Sequence, residues 1–380
     1  MADLKQRREG KSLEARLEIR NDIEDTLREL LRSLLEQEIC DALLVPGKLP
    51  DGSGVAPALL QDAELIDQTR PLAPVLPVSE ATLLGRLTRG ERSGTLGAVL
   101  HPCQVRAYIE LVKLQQARRD DVFLISVDCP GTYEVKQYAE LARGETETAL
   151  EPVRGLREGA PAPHDGYDFR EACRMCERPL PHQADLRVKI VGVADEGELR
   201  LRAAADVLAR LGLSPTDSDD AEDEAERRLL QSRTAERDRL LELVRAQMQD
   251  VAGLEEQFST CIRCLNCMDA CPLCYCKECI FRTETFEHRP ADYSRWAARK
   301  GAVRLPADTL LFHMTRLNHM VTSCVGCGLC DSACPSGLPI ARLFRAVGQE
   351  VQGIFDYVPG RDSEEEIPIA TFREDELKEV

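Results

Sequence analysis

The stretch CIRCLNCMDACP, residues 261–272, returns as CVGCGLCDSACP at residues 324–335, so both read C-x-x-C-x-x-C-x-x-x-C-P. Three thiolates at such short, regular intervals let one tight backbone loop wrap three corners of a metal–sulfur group while its amides donate to sulfur. Gly326 and Gly328 permit close backbone approach in the second copy. Pro272 and Pro335 cannot continue a helix or strand interior, so they fix the direction in which the chain leaves.

The spacing is that of bacterial two-cluster ferredoxins, in which the fourth cysteine of each run ligates the other run's cluster. It predicts one 4Fe-4S cluster on Cys261, Cys264, Cys267 and Cys334, and a second on Cys324, Cys327, Cys330 and Cys271. The alternative is zinc, in a cysteine-rich scaffold that only binds partners. Structural zinc sites take two separated pairs, not three cysteines and a fourth that crosses to a duplicate run.

A chain of 380 residues is long enough for two or three domains. Its 66 acidic against 49 basic side chains leave a net charge of −17, which argues against a nucleic-acid partner held through phosphates. Sixteen cysteines, most in ligand-like spacings, read as metal sites in a reducing compartment. Lys5, Arg7, Arg8, Lys11 and Arg16 precede no apolar segment of signal-peptide type, and no run reaches membrane-spanning length. The expectation is a cytoplasmic protein without a transmembrane segment.

Within residues 1–40 an amphipathic helix places Ile19, Ile23, Leu27, Leu30, Leu31, Leu34 and Leu35 on one stripe. Residues 41–213 read as an α/β domain: a strand at Ala42–Val45, an extended or edge segment at Leu72–Val78, then Leu96–Leu100, a helix over Val105–Gln115, and Val122–Val127. The last three form a βαβ crossover, implying a parallel pair within a mixed sheet. A strand at Leu186–Val193 and a helix near Ala203–Leu211 follow. Residues 144–170 read as loop. Thr216–Glu226 holds seven acidic residues and no basic one, so residues 214–226 read as a solvated linker.

Residues 227–358 read as a mainly helical two-cluster ferredoxin-like domain, with a helix over Ala225–Phe258, helices near Tyr293–Lys300 and Thr309–His319, and a last one from Ile340 to Phe355. Residues 359–380 read as an acidic, partly disordered tail. No G-x-G-x-x-G follows a strand and no phosphate loop appears, so neither a kinase nor a hydrolase is indicated.

Cys103, Cys129, Cys173 and Cys176 form a set that neither ferredoxin run explains. Two follow predicted strands and two share a C-x-x-C, enough for a complete thiolate site. His101-Pro102-Cys103-Gln104, Asp128-Cys129-Pro130-Gly131-Thr132-Tyr133 and Ala172-Cys173-Arg174-Met175-Cys176 resemble the cysteine landmarks of the beta-subunit family of coenzyme F-420-reducing hydrogenases and formate dehydrogenases. The ferredoxin half, with Cys271–Cys279 and Phe355-Asp356-Tyr357, is similar to the C-terminal part of formate dehydrogenase beta subunits and of subunits found with heterodisulfide reductases.

In that family such landmarks hold a 4Fe-4S cluster beside FAD, which exchanges hydride with the deazaflavin. The resemblance therefore implies a third cluster on Cys103, Cys129, Cys173 and Cys176, and FAD as a further cofactor. Hydrogenase members open the N-terminal helix with a glycine pair; Ile19–Ile39 holds no glycine, so a flavin-free chain stays open.

The resulting function is an iron–sulfur electron-transfer subunit of a hydrogenase, formate dehydrogenase or heterodisulfide-reductase type complex, served by its neighbouring subunits or a soluble ferredoxin. A flavin-dependent subunit exchanging hydride with a deazaflavin or nicotinamide coenzyme is the second reading. Cys274, Cys276 and Cys279 supply part of a further site, completed by Cys40 or a partner chain, or are only packed thiols. Of His101, His313 and His319, His101 is the best candidate to support a ligand, since it adjoins Cys103.

Overall fold

The computed structural model describes residue 8 and residues 12–90, 93–143, 151–216, 224–301 and 307–371. Eight strands form one mixed sheet: β1 (Ser12–Glu18), β2 (Ala42–Lys48), β3 (Val55–Leu60), β4 (Leu96–Val99), β5 (Val122–Val127), β6 (Leu186–Lys189), β7 (Glu198–Ala204) and β8 (Pro215–Thr216). Their spatial order is β3-β2-β4-β5-β6-β7-β1-β8. The β2-β4-β5-β6 centre is parallel, and the remaining neighbours are antiparallel.

Successive side chains of a strand point to opposite faces, so a strand buried on both sides reads as a continuous apolar run. Leu43, Val45, Val99, Phe123 and Ile125 join one core with Leu27, Leu30, Leu31 and Leu34 of α1 (Ile23–Glu36). Leu44, Ala98, Leu100 and Leu124 join the other with Leu84 of α2 (Glu80–Thr88) and Tyr108 and Leu111 of α3 (Pro102–Lys113). The Asp22 side chain caps α1 by accepting the Asp25 amide.

The crossover predicted from residues 96–127 is present, with β4 and β5 as parallel neighbours. Other expectations shift. β1 pairs along its length with β7, yet both stretches escaped the sequence reading because charged residues alternate through them. Leu186–Val193 is a strand only to Lys189, since the Ile190 and Val191 amides turn inward to the Asp128 carboxylate at 2.9 and 3.1 Å. Helix α4 (Val135–Arg143) precedes the stretch read as loop; of that stretch residues 144–150 lie outside the described residues, and the rest contains a helix, α5 (Glu151–Arg157). α6 (Glu171–Arg174) and α7 (Ala205–Arg210) complete the first half.

The second half is helical: α8 (Glu224–Gln247), α9 (Val251–Gln257), α10 (Asn266–Asp269), α11 (Pro290–Lys300), α12 (Ala307–Met320), α13 (Leu329–Ser332) and α14 (Ile340–Ile354). The helix expected over 225–258 breaks before Asp250, whose carboxylate caps α9 at the Gly253 amide. Of the acidic stretch, residues 217–223 lie outside the described residues. Glu226, far from being solvated linker, pairs with Arg187 and Lys189 at 3.1 and 3.2 Å.

The two halves are packed together. Tyr357 donates to Glu110 of α3 at 2.6 Å, as does the Gly360 amide at 2.8 Å. Arg345 of α14 reaches Glu177 at 2.7 Å, and Arg106 reaches the Val325 carbonyl at 2.9 Å. The expected tail is folded back at least in part, with Glu365 beside Lys113 at 3.7 Å; residues 372–380 lie outside the described residues.

Candidate functional site

The N-terminal set is assembled at the C-terminal ends of the central strands, where open α/β sheets place their sites. Cys103 lies in the first turn of α3, preceded by Pro102, which suits that position because its missing N–H would have no helical partner. Cys129 follows β5, and its amide is held by the Pro179 carbonyl at 3.0 Å. Cys173 sits in α6 and Cys176 in the turn behind it. All four thiols line one cavity with Thr132, Arg233 and Cys327.

Burial raises the Cys103 thiol to about 12 and the Cys129 thiol well above its usual range, with the other thiols of the set adding to the effect. Cys173 moves the other way. Burial alone would raise it, but the Arg170 guanidinium and the Thr132 hydroxyl outweigh that. Thr132 Oγ1 is 3.1 Å from Cys173 Sγ.

In the helical half, the cysteines pair across the runs. Cys267 is pushed up to about 11, first by burial, with Cys261, Cys264 and Cys334 contributing and Arg316 opposing. Burial likewise raises Cys271, with Cys324 the contributing thiol, and Cys330, where Asp331, Cys327 and Cys271 contribute. Cys334 thus acts on Cys261 and Cys267 of the first run, and Cys271 on Cys327 and Cys330 of the second. Both loops take the same left-handed steps: Gly326 and Gly328 at φ 72°, Arg263 and Leu265 at 54° and 64°. Glycine makes those steps easily in the second run, whereas in the first the L side chains are strained by ~1–2 kcal/mol each.

Two buried arginines connect these groups. Arg316 of α12, 3% exposed, donates to Cys267 Sγ and to the Cys267 carbonyl, both at 3.0 Å. Arg170, 5% exposed, donates to the Thr132 hydroxyl at 2.8 Å, the Ser332 hydroxyl at 3.2 Å and the Cys327 carbonyl at 3.1 Å, and approaches Cys173 Sγ at 3.7 Å. None of these hydrogen-bond partners is a carboxylate. Sequence reading missed both residues, since an arginine three positions before a cysteine, or 49 positions after one, carries no local signal.

His313, not His101, is the histidine that meets a ligand-type sulfur. It is fully buried, stacks on Phe258 at 4.0 Å between centroids, and brings Nε2 to 3.3 Å from Cys261 Sγ. Burial, then Arg316, holds its pKa down to about 3, so the ring is neutral. His101 lines the N-terminal cavity with its Nδ1 4.0 Å from Glu80, and His319 is exposed.

Cys274, Cys276 and Cys279 line a separate cavity beside Cys271, with Arg86, Arg89, Lys277 and Arg282 around them. Cys40 is not among its lining residues; it is buried in the sheet core next to Gly97 and Leu43. Among the described residues, no three His, Cys, Asp or Glu side chains converge as a single bare ion requires.

Residues 257–338 match the 4Fe-4S dicluster domain family, so the helical half carries a dicluster ferredoxin unit. Over most of its length the chain is homologous to F420-dependent formate dehydrogenase beta subunits. It is 24% identical over 370 residues to that subunit of Methanocaldococcus jannaschii, covering 87% of this chain and 89% of the relative. It is 24% identical over 363 residues to the subunit beta of F420-dependent formate dehydrogenase 1 of Methanococcus maripaludis, with the same coverage of both. Among solved structures, a chain of the F420-reducing NiFe hydrogenase complex of Methanosarcina barkeri aligns at a TM-score of 0.46 and 16% identity, covering 64% of this chain and 94% of that one.

Proposed function

We propose that this chain is the iron–sulfur electron-transfer subunit of a multi-subunit oxidoreductase of the formate dehydrogenase or hydrogenase type. Three 4Fe-4S clusters would be held: one by Cys261, Cys264, Cys267 and Cys334, one by Cys324, Cys327, Cys330 and Cys271, and one by Cys103, Cys129, Cys173 and Cys176. The observation that carries this reading is the adjacency of the three thiol sets. Cys327 of the second set lines the same cavity as the N-terminal four, and Cys271 joins the second set to the run of the first.

The residues fit such groups. Burying a guanidinium without an anionic partner is costly, and neither Arg170 nor Arg316 is hydrogen-bonded to a carboxylate. Arg316 Nε is also buried without a partner. Anionic iron–sulfur groups at the neighbouring thiols would supply the counter-charge to Arg316, and would add at Arg170 to the fields of Glu134 and Asp331. When bound, they take up and release single electrons at potentials set by hydrogen bonds, burial and charge.

The chain's own part is to hold the thiols in three adjoining sets and to shield most of them from water, Cys264 being exposed. Homology to formate dehydrogenase beta subunits supports neighbouring subunits as donor and acceptor, one of them oxidising formate. Among the described residues no helix is long and apolar enough to cross a membrane. Sixteen cysteines, most in ligand-like spacings, favour a reducing, cytoplasmic compartment. The F420-dependence named for the relatives favours a flavin beside the N-terminal set as an addition. Flavin released by denatured protein in proportion to chain tests it.

The central test is elemental analysis of anaerobically prepared protein. About twelve iron and matching sulfide per chain are expected from three cubanes of four. Zinc in place of iron would reject the proposal.

A further inference from the structure

We infer that the protein makes the two outer sites the electron-retaining ones and the middle site, at Cys271, Cys324, Cys327 and Cys330, the hardest to reduce. The inference rests on the three-site reading and adds an order of reduction, written in side chains that surround the sulfurs. Reduction adds one electron and one negative charge to a site. N–H or O–H donors to its sulfurs and nearby cations favour that added charge, while a carboxylate opposes it.

The site at Cys261, Cys264, Cys267 and Cys334 is rich in donors. Arg316 Nη1 stands 3.0 Å from Cys267 Sγ, and His313 Nε2 stands 3.3 Å from Cys261 Sγ. With the sulfur a thiolate acceptor, Nε2 carries the proton. The Arg263 and Leu338 amides add bonds of 3.4 Å to Cys261 and Cys334. At the N-terminal site, a thiolate at Cys173 makes Thr132 the donor across 3.1 Å, and Arg170 adds its charge at 3.7 Å.

The middle site differs in kind. Among the described residues no side-chain N–H or O–H donates to its four sulfurs. Cys330 Sγ instead faces Asp331 Oδ1 at 3.8 Å, and Cys271 Sγ faces the Met320 thioether at 3.5 Å. Amides at residues 273, 274 and 329 do reach Cys271 and Cys327, as amides do at the other sites. Guanidiniums also act on the middle site, Arg170 through the Cys327 carbonyl, Arg345 through the Cys324 carbonyl at 3.4 Å, Arg106 through the Val325 carbonyl at 2.9 Å, and Arg316 by its field at Cys271 and Cys330. Their contacts to the middle site stop at carbonyls, whereas Arg170 and Arg316 reach a sulfur on the outer sites, and among the described residues the carboxylate in contact with a cysteine sulfur, Asp331, sits on the middle.

The test is a potentiometric titration followed by paramagnetic resonance on anaerobic full-length protein, wild type and variants, with iron counted in each sample. Arg316→Gln should move one signal to lower potential, and Thr132→Val a second. Asp331→Asn should move a third to higher potential, and that third signal should be the last to appear in the wild type. Arg316→Lys keeps a cation there and should restore most of the shift, which a purely structural role for Arg316 would not predict. If the signal that answers to Asp331→Asn appears first, or if Arg316→Gln and Thr132→Val leave every potential unmoved with iron still near twelve, the inference is wrong. Wild-type iron well below twelve would instead remove the three-site reading on which it stands.

Discussion

Gly328, in the loop of the second cysteine run, lies directly against Ala172, the residue before Cys173. A Cβ built on Gly328 would overlap the Ala172 Cβ, and the backbone there is left-handed at φ 72°. The absence of a side chain at one position thus lets the ferredoxin half seat on the loop that carries half of the N-terminal cysteine set.

Replacing that glycine should loosen the seat. Gly328→Ala is expected to lower stability by at least ~1–2 kcal/mol from the backbone alone, with the overlap adding to it. Thermal unfolding of anaerobic protein measures this, and an unchanged midpoint would mean that the two loops are not in contact.

The crossing of the fourth cysteines gives a sharper test. Cys334→Ser should damage the site of Cys261, Cys264 and Cys267, and leave that of Cys324, Cys327 and Cys330 spectroscopically intact, with about four of twelve iron lost. Were the loss to match the signature of Cys324→Ser instead, each run would be holding its own fourth ligand.

Cys173→Ser should remove roughly a third of the iron while both ferredoxin signals remain. Iron content equal to the wild type would strike Cys103, Cys129, Cys173 and Cys176 from the ligands.

The buried cluster of Tyr357, Glu110 and Lys113 ties the two halves together. Lys113 donates to the Tyr357 hydroxyl at 2.6 Å, and that hydroxyl donates to Glu110 at 2.6 Å. Tyr357→Phe leaves a buried carboxylate short of a donor, which costs about 1–3 kcal/mol. Denaturant melts of the two proteins should differ by that amount with iron content unchanged; equal midpoints would show the cluster to be dispensable.

Strands that alternate apolar and charged residues were the hardest to read. Glu198–Ala204 runs ELRLRAA, and its partner Ser12–Glu18 runs SLEARLE, so neither has the continuous apolar run of a central strand. What makes them strands is each other: paired antiparallel, they bury Leu199, Leu201 and Ala15 on one face and turn their charges to the other, where Arg200 meets Glu14 and Glu198. The parallel centre was legible because Val122–Val127 is apolar on both faces.

Cysteine spacing alone pointed to the dicluster ferredoxin unit, because a cubane wrapped by one loop demands ligands within a few residues of one another. The surroundings of those sulfurs belonged to the tertiary structure. Arg170 meets the Cys327 carbonyl across 157 positions of chain, and Arg316 meets Cys267 across 49. Contacts that distant are decided by how helices and sheet pack, and a buried charge takes its meaning from whatever that packing sets beside it.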